Sequence, residues 1–288
     1  MFKNSDTVFK ILGLFKDYNL KNHISSYQTF QKIITNHDNV FILNKEMINN
    51  KISNNAIQDT QVKESEINTK QTPMPKKIVK EKKNNDEFIN QIEKLKLDAI
   101  NLNSLEEINE YLKKSSFCDI KQLSQNTVMS DGIENAKIIL IGEAPGEEED
   151  AQGIPFCGRS GKLLDNILKS INLDRKINIY ITNTVYWRPP ANRRPTDEEI
   201  DKCRPFLFRI IELIKPDFLI LCGATAIQSV LQENDTKIGD IHGKIIDINI
   251  NGRKIKASGI YHPSYLLRSP SSKKTAWFDM IEIAKNLI

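Results

Sequence analysis

Residues 137–171 read KIILIGEAPGEEEDAQGIPFCGRSGKLLDNILKSI. Lys137 to Gly142 is a short, continuous apolar run, as expected for a strand buried on both faces. A loop with Pro145 and Gly146 follows, crowded with Glu143, Glu147, Glu148, Glu149 and Asp150. Helical spacing of apolar residues then begins at Ser160, in SGKLLDNILKSI. This order of strand, polar loop and helix recurs downstream. Further strand-like runs are IYITNTV (179–185), FLILCG (218–223) and KIKASGIYH (254–262).

Helical patterns lie around these runs. FINQIEKLKLDAI and SLEEINEYLKKS precede the first, and the second opens with Ser104 and Glu107 in capping-box spacing. TDEEIDKCRPFLFRIIELI begins at Thr196, with Glu199 at the same spacing. ATAIQSVLQ follows Gly223, and KTAWFDMIEIAKNLI closes the chain. Strands alternating with helices predict an α/β fold: a three-layer α/β/α sandwich on a mainly parallel, four-stranded central sheet, over residues 87–288. Residues 1–48 carry apolar positions at helical spacing and are expected to form a short helical segment. Residues 49–86 are rich in Asn, Lys and Gln and nearly free of aromatics. Such a stretch buries too little apolar surface to offset its ordering entropy, so it is expected to be a disordered basic linker.

The 288-residue chain has a net charge of +4, compatible with a polyanionic partner and diagnostic of none. Four cysteines, Cys118, Cys157, Cys203 and Cys222, form no CxxC pair. The N-terminus has neither the apolar core nor the cleavage site of a signal peptide, and no run is long enough to span a bilayer. The expectation is a cytoplasmic, monomeric protein with reduced thiols and no membrane partner. Neither GxxxxGK[ST] nor GxGxxG occurs, which counts against a nucleotide-binding α/β protein.

In a parallel sheet, ligands bind beyond the carboxyl ends of the strands. The loops expected there are GEAPGEEED, TNTVYWRPPANRRP, GATA and HPSYLLRSP. Three longer stretches containing such loops, GEAPGEEEDAQGIPFCGRSGKLLD, YITNTVYWRPPANRRPTDEEIDKCRPFL and HPSYLLR, closely resemble family 4 uracil-DNA glycosylases, in the family's order. The resemblance covers about residues 115–288 and leaves residues 1–90 outside it. It implies the uracil-DNA glycosylase α/β/α sandwich, and hydrolysis of the bond between uracil and deoxyribose in DNA as the first step of base excision repair.

The resemblance also assigns roles. Phe156 is the ring on which a flipped uracil stacks, and Asn183 is the amide that tells uracil from cytosine, since an amide both donates and accepts. Glu149 corresponds to the wall near uracil C5. Ala144 is a substrate contact where better-known glycosylases carry an Asp. Glu143 is expected to orient the attacking water and face the cationic sugar, and His262, in YHPS, to stabilise the leaving uracil. For DNA, Tyr265, Leu266 and Leu267 suggest an apolar wedge beside the cations Arg268, Lys273 and Lys274. Arg188, Arg193 and Arg194 add charge to the rim, and Ser160 offers a backbone N–H near a helix start.

Family 4 enzymes carry a [4Fe–4S] cluster on four cysteines. Here Cys118 and Cys203 match the first and last ligand positions, while Lys121 and Trp187 stand at the other two. Two thiolates do not complete a four-thiolate site, so no cluster is expected. RPPANRRPTDEE contains no His, which argues against a related branch that captures DNA covalently through one. The competing reading is a non-catalytic DNA-binding module derived from a glycosylase and acting with replication or repair partners, with residues 1–90 as the place where a protein partner would attach. Retention of Glu143, Asn183 and His262 together counts against it.

Overall fold

The computed structural model describes residues 77–233 and 235–287. The segment expected at 1–48 and most of the expected linker lie outside the described residues. The first helix begins at Lys77, within the stretch assigned to the linker.

Six strands form one sheet: β1 (Ser130–Gly132), β2 (Ile138–Gly142), β3 (Ile179–Asn183), β4 (Phe218–Cys222), β5 (Ile246–Ile250) and β6 (Arg253–Ile260). Their order is β1-β3-β2-β4-β6-β5. The inner four, β3-β2-β4-β6, are parallel and are the strands read from the sequence. The expected four-stranded sheet is thus the centre of a six-stranded mixed one, because an antiparallel strand closes each edge. At one edge β1 is only three residues, SDG, with no apolar signal. At the other, β5 and β6 form a hairpin through Asn251 and Gly252, both at positive φ (49° and 86°). That Asn-Gly turn between alternating strands is a hairpin signal present in the sequence.

The helices are α1 (Lys77–Ile100), α2 (Leu105–Lys114), α3 (Glu147–Gln152), α4 (Arg159–Lys169), α5 (Asp197–Ile214), α6 (Ala224–Leu231), α7 (Ile238–Ile241), α8 (Pro263–Arg268) and α9 (Lys273–Asn286). The sheet's two faces carry separate cores. Ile139, Ile141, Leu219 and Leu221 meet α1, α2, α5 and α6 on one face. Ile138, Leu140, Ile181 and Ile220 meet α4, α8 and α9 on the other. Adjacent residues of one strand thus serve opposite cores, which is why β2 and β4 are apolar at every position before the terminal residue. Thr196 closes the expected capping box with Glu199 at 3.2 and 2.8 Å. Ser104 caps α2, but Glu107 reaches back to the Asn103 N–H instead.

The chain leaves β2 toward β3 on one side, then crosses to β4 and onward to β6 on the other. The helices after β2 and β4 accordingly lie on opposite faces, so the carboxyl ends of these neighbours flank a topological switch point, the usual ligand crevice.

Arg175 braces one wall of that crevice. Its guanidinium is largely buried and bonds Asp131 of β1 (2.9 Å), Asp165 of α4 (2.8 and 2.9 Å) and the carbonyls of Pro155 (3.0 Å) and Phe156 (2.9 Å). Phe156 needs such support, since its φ of 51° is costly for a residue with a Cβ. Arg175→Ala is expected to cost about 2–3 kcal/mol, the range for hydrogen bonds to charged groups. Arg175→Lys should recover less than half of this, because one ammonium cannot reproduce the guanidinium fork. Urea midpoints at constant slope measure both, and a wild-type midpoint for Arg175→Ala would show that the loop holds itself.

Candidate active site

Gly142 ends β2 directly opposite Asn183, which ends β3. A methyl group on Gly142 would overlap both Asn183 Oδ1 and the Phe156 ring, so only glycine allows the three to converge. Phe156 is buried, and its ring centroid lies 5.6 Å from that of His262, at 34°. Asn183 is 1% exposed, and its Oδ1 is buried without a hydrogen-bond partner. Buried acceptors are nearly always paired, so an orphan one at a strand end, beside an aromatic ring, points to a ligand donor.

His262 follows β6 and is the N-cap of α8. The Ser264 N–H donates to its Nδ1 at 3.2 Å, with the Ser264 hydroxyl at 2.8 Å. A backbone N–H can only donate, so the neutral ring carries its proton on Nε2. Burial, and secondarily the Arg268 charge, lower the His262 pKa to about 4. The ring is therefore a neutral donor at neutral pH. Gly223, at φ 93°, lets the turn after β4 pass His262, whose Cβ would be 3.2 Å from a methyl group there.

The five clustered carboxylates divide by task. Glu143 Oε2 accepts from Thr225 Oγ1 at 2.5 Å, across the crevice between β2 and β4. Glu149 is buried, with its two oxygens on the Gly146 N–H (3.2 Å) and the Gly158 N–H (3.3 Å), so it ties the start of α3 to the start of α4. Asp150 is buried too, and its Oδ1 accepts from the Gln125 and Asn126 amides at 2.9 and 3.1 Å. Glu147 is exposed, with a carboxylate oxygen 3.7 Å from Arg188. Glu148 is exposed beside Gly158. Ala144 packs partly buried against the core under α2 and α5 and presents no ionisable group.

On the outer rim, Tyr265 is 38% exposed and Arg268 is exposed at the end of α8. Leu266 is fully buried against α4 and α9, so it does not belong to the expected wedge; its apolar signal is that of core packing. Tyr265 and the partly buried Leu267 are the apolar groups with accessible surface there. Ser160 is the second residue of α4. Arg188 bonds Asn192 at 2.8 Å. Arg193 holds Glu199 bidentately at 2.8 and 2.6 Å, which places it in the cap of α5.

The positions matching cluster ligands do converge, but with the wrong donors. Cys118 and Cys203 are both buried side by side; the neighbouring Cys203 lowers the Cys118 thiol, and burial pushes the Cys203 thiol well up. The Lys121 ammonium donates to the carbonyls of Lys113 (2.5 Å) and Ser115. Trp187 is 1% exposed, edge-on to Phe117 at 5.4 Å, and its Nε1–H donates to Thr127 at 3.0 Å. Two thiols, a lysine already committed to carbonyls and an indole do not fit a cubane that requires four thiolates.

Three residues of the site are not singled out in the sequence. Thr225, Arg175 and Ser264 enter through partners 82, 19 and 2 positions away. Only Ser264, inside HPS, stands near a motif.

Comparison with known proteins gives the same picture. A family profile described as the uracil DNA glycosylase superfamily matches residues 129–282. A type-4 uracil-DNA glycosylase of Archaeoglobus fulgidus is 37% identical over 187 residues, 64% of this chain and 94% of its own length. One of Thermotoga maritima is 38% identical over 185 residues (64% and 94%), and one of Saccharolobus solfataricus 35% over 189 residues (65% and 88%). With a mixed sheet whose inner four strands are parallel, converging strand ends and a matched span that includes all of them, the chain belongs to the uracil DNA glycosylase superfamily.

Proposed function

We propose that this protein removes uracil from DNA by hydrolysing its N-glycosidic bond. The observation that carries this reading is the orphan Asn183 Oδ1, buried beside Phe156 and His262. Uracil offers an N3–H donor to that oxygen and an O4 acceptor to the amide N–H; cytosine offers the opposite pattern. Because a duplex hides both edges, the nucleotide must leave the stack, at a cost of about a few kcal/mol. Phe156 replaces part of the lost stacking.

As the bond from sugar C1′ to uracil N1 lengthens, its electron pair goes to uracil and positive charge grows on the sugar. The neutral His262 Nε2–H donates to the uracil oxygen that takes up the charge, without needing to transfer its proton. Glu143 faces the sugar, where its carboxylate stabilises the cation and orients water toward C1′. Glu149 serves this site by shaping the loop that carries Phe156. Tyr265, with Arg188, Arg193, Arg268 and the Ser160 amide, forms the DNA-facing rim.

The scheme uses no iron–sulfur cluster: at two of the matching ligand positions stand Lys121, bonded to the Lys113 carbonyl, and Trp187, bonded to Thr127. The catalytic unit comprises residues 87–288, extended by α1. The segment before α1 is assigned the recruitment of a protein partner, for a protein that acts as a cytoplasmic monomer.

Purified protein should release uracil from a uracil-containing oligonucleotide, read as strand scission after alkali. His262→Ala should lower kcat about 10²–10³-fold without loss of fold. Binding without scission would instead support the non-catalytic DNA-binding module. The unfolded ring titrates near 6.5 and the folded one near about 4. The site therefore contributes stability above pH 6.5 that is lost as pH falls through 4. An NMR titration of the His262 ring should give a midpoint within about one unit of 4; a midpoint near 6.5 would refute the buried neutral donor. Iron assayed on protein purified without oxygen should be far below stoichiometric, with no visible iron–sulfur absorbance, whereas about four irons per chain would overturn the cluster-free reading.

A further inference from the structure

Thr225 is 1% exposed, in the first turn of α6. Its hydroxyl is 2.5 Å from Glu143 Oε2. A carboxylate only accepts, so the hydroxyl donates. The two residues follow β2 and β4, neighbours whose chains depart to opposite faces. The bond therefore closes the crevice at the level of the strand ends, on the side facing His262, past which Gly223 runs.

We propose that Thr225 is a positioning residue for the glycosylase reaction: it holds Glu143 by Oε2 so that Oε1 is the oxygen presented to the attacking water. This rests on the proposed role of Glu143 and adds a specific second residue to it. A glutamate side chain has three rotatable bonds, and an untethered carboxylate spreads over several rotamers. The backbone around Glu143 is already fixed, since its carbonyl accepts from the Val185 N–H at 3.3 Å and Gly142's accepts from Thr184. Only the side chain remains to be oriented, and the Thr225 hydroxyl does so from a buried, rigid helix start. The contact also engages Oε2, which leaves Oε1 as the carboxylate oxygen with both acceptor sites open to water. Misplacing a reacting group by about 1 Å costs on the order of 10²-fold in rate. Loss of one tether that only narrows the rotamers should cost less, about tenfold.

The test compares Thr225→Ser, Thr225→Val, Glu143→Gln and the Thr225→Val/Glu143→Gln double variant with wild type, on a uracil oligonucleotide in single-turnover and steady-state assays. Thr225→Val keeps the shape and removes the donor. It should lower kcat about tenfold with KM within twofold of wild type, while Thr225→Ser restores most of the rate. The double variant should be no slower than Glu143→Gln alone, as expected for two residues acting through one contact. Thermal melts within a few degrees of wild type exclude a folding defect; should Thr225→Val melt lower, Thr225→Ser and the kcat against KM split still decide. A wild-type kcat for Thr225→Val beside an impaired Glu143→Gln overturns the Thr225 assignment and leaves Glu143 in place. Fully additive losses in the double variant also overturn it. A wild-type rate for Glu143→Gln removes the underlying reading instead.

Discussion

Two faces of the central strands are buried, and everything in the site follows from that. Residues 138–141 of β2 and 218–221 of β4 alternate between two separate cores. Neither strand can slip by one residue without moving its side chains into the wrong layer. The register is therefore rigid, and Gly142, Asn183 and Cys222 end their strands at fixed levels relative to one another. The loops that leave there inherit that precision. Reaction geometry tolerates little error, so a site built on strand ends gains from a sheet that has only one acceptable alignment.

The chemistry is then a matter of which polar groups are paired and which are left open. Asp150 and Glu149 spend their carboxylates on backbone amides and hold the loop in shape. Glu143 spends one oxygen on Thr225. His262 spends Nδ1 on Ser264 and keeps Nε2–H. Asn183 leaves its oxygen unpaired at the bottom of the cleft. Burial acts in opposite ways on these groups: it keeps His262 uncharged and makes the unpaired Asn183 acceptor selective for a donor. In the proposed reaction, a neutral imidazole beside the uracil and a carboxylate beside the sugar would match the charges that develop, uracil becoming negative and the sugar positive.

The region around the positions that match the family's cluster ligands is held by aromatic packing. Phe117 stacks on Phe206 at 5.3 Å and meets Trp187 edge-on, and Tyr111 lies 5.0 Å from Phe206. Apolar rings pack the volume that Cys118 and Cys203 border. Aromatic burial supplies cohesion comparable with other core contacts, and the indole N–H finds Thr127, while the neighbouring Tyr186 hydroxyl stays buried without a partner.

Periodicity was enough to place the four parallel strands and most of the longer helices, while Glu143, Phe156, Asn183 and His262 were singled out by the resemblance to family 4 uracil-DNA glycosylases. These features depend on local patterns: a buried strand must be apolar throughout, and Gly, Pro and carboxylates must leave the sheet. The antiparallel edges were harder, since SDG carries no hydrophobic signal and IDINI was legible only through its Asn-Gly turn. Leu266 looked like a wedge because hydrophobicity does not say which side of a helix faces the core. Glu149 was expected only as a wall near uracil C5, and its bonds to two loop amides appear only in the fold. Thr225 and Arg175 were invisible, because their partners come from other segments of the chain. A sequence records what each residue is able to do; only folding brings distant residues within hydrogen-bonding range, and that proximity selects which of those abilities is used.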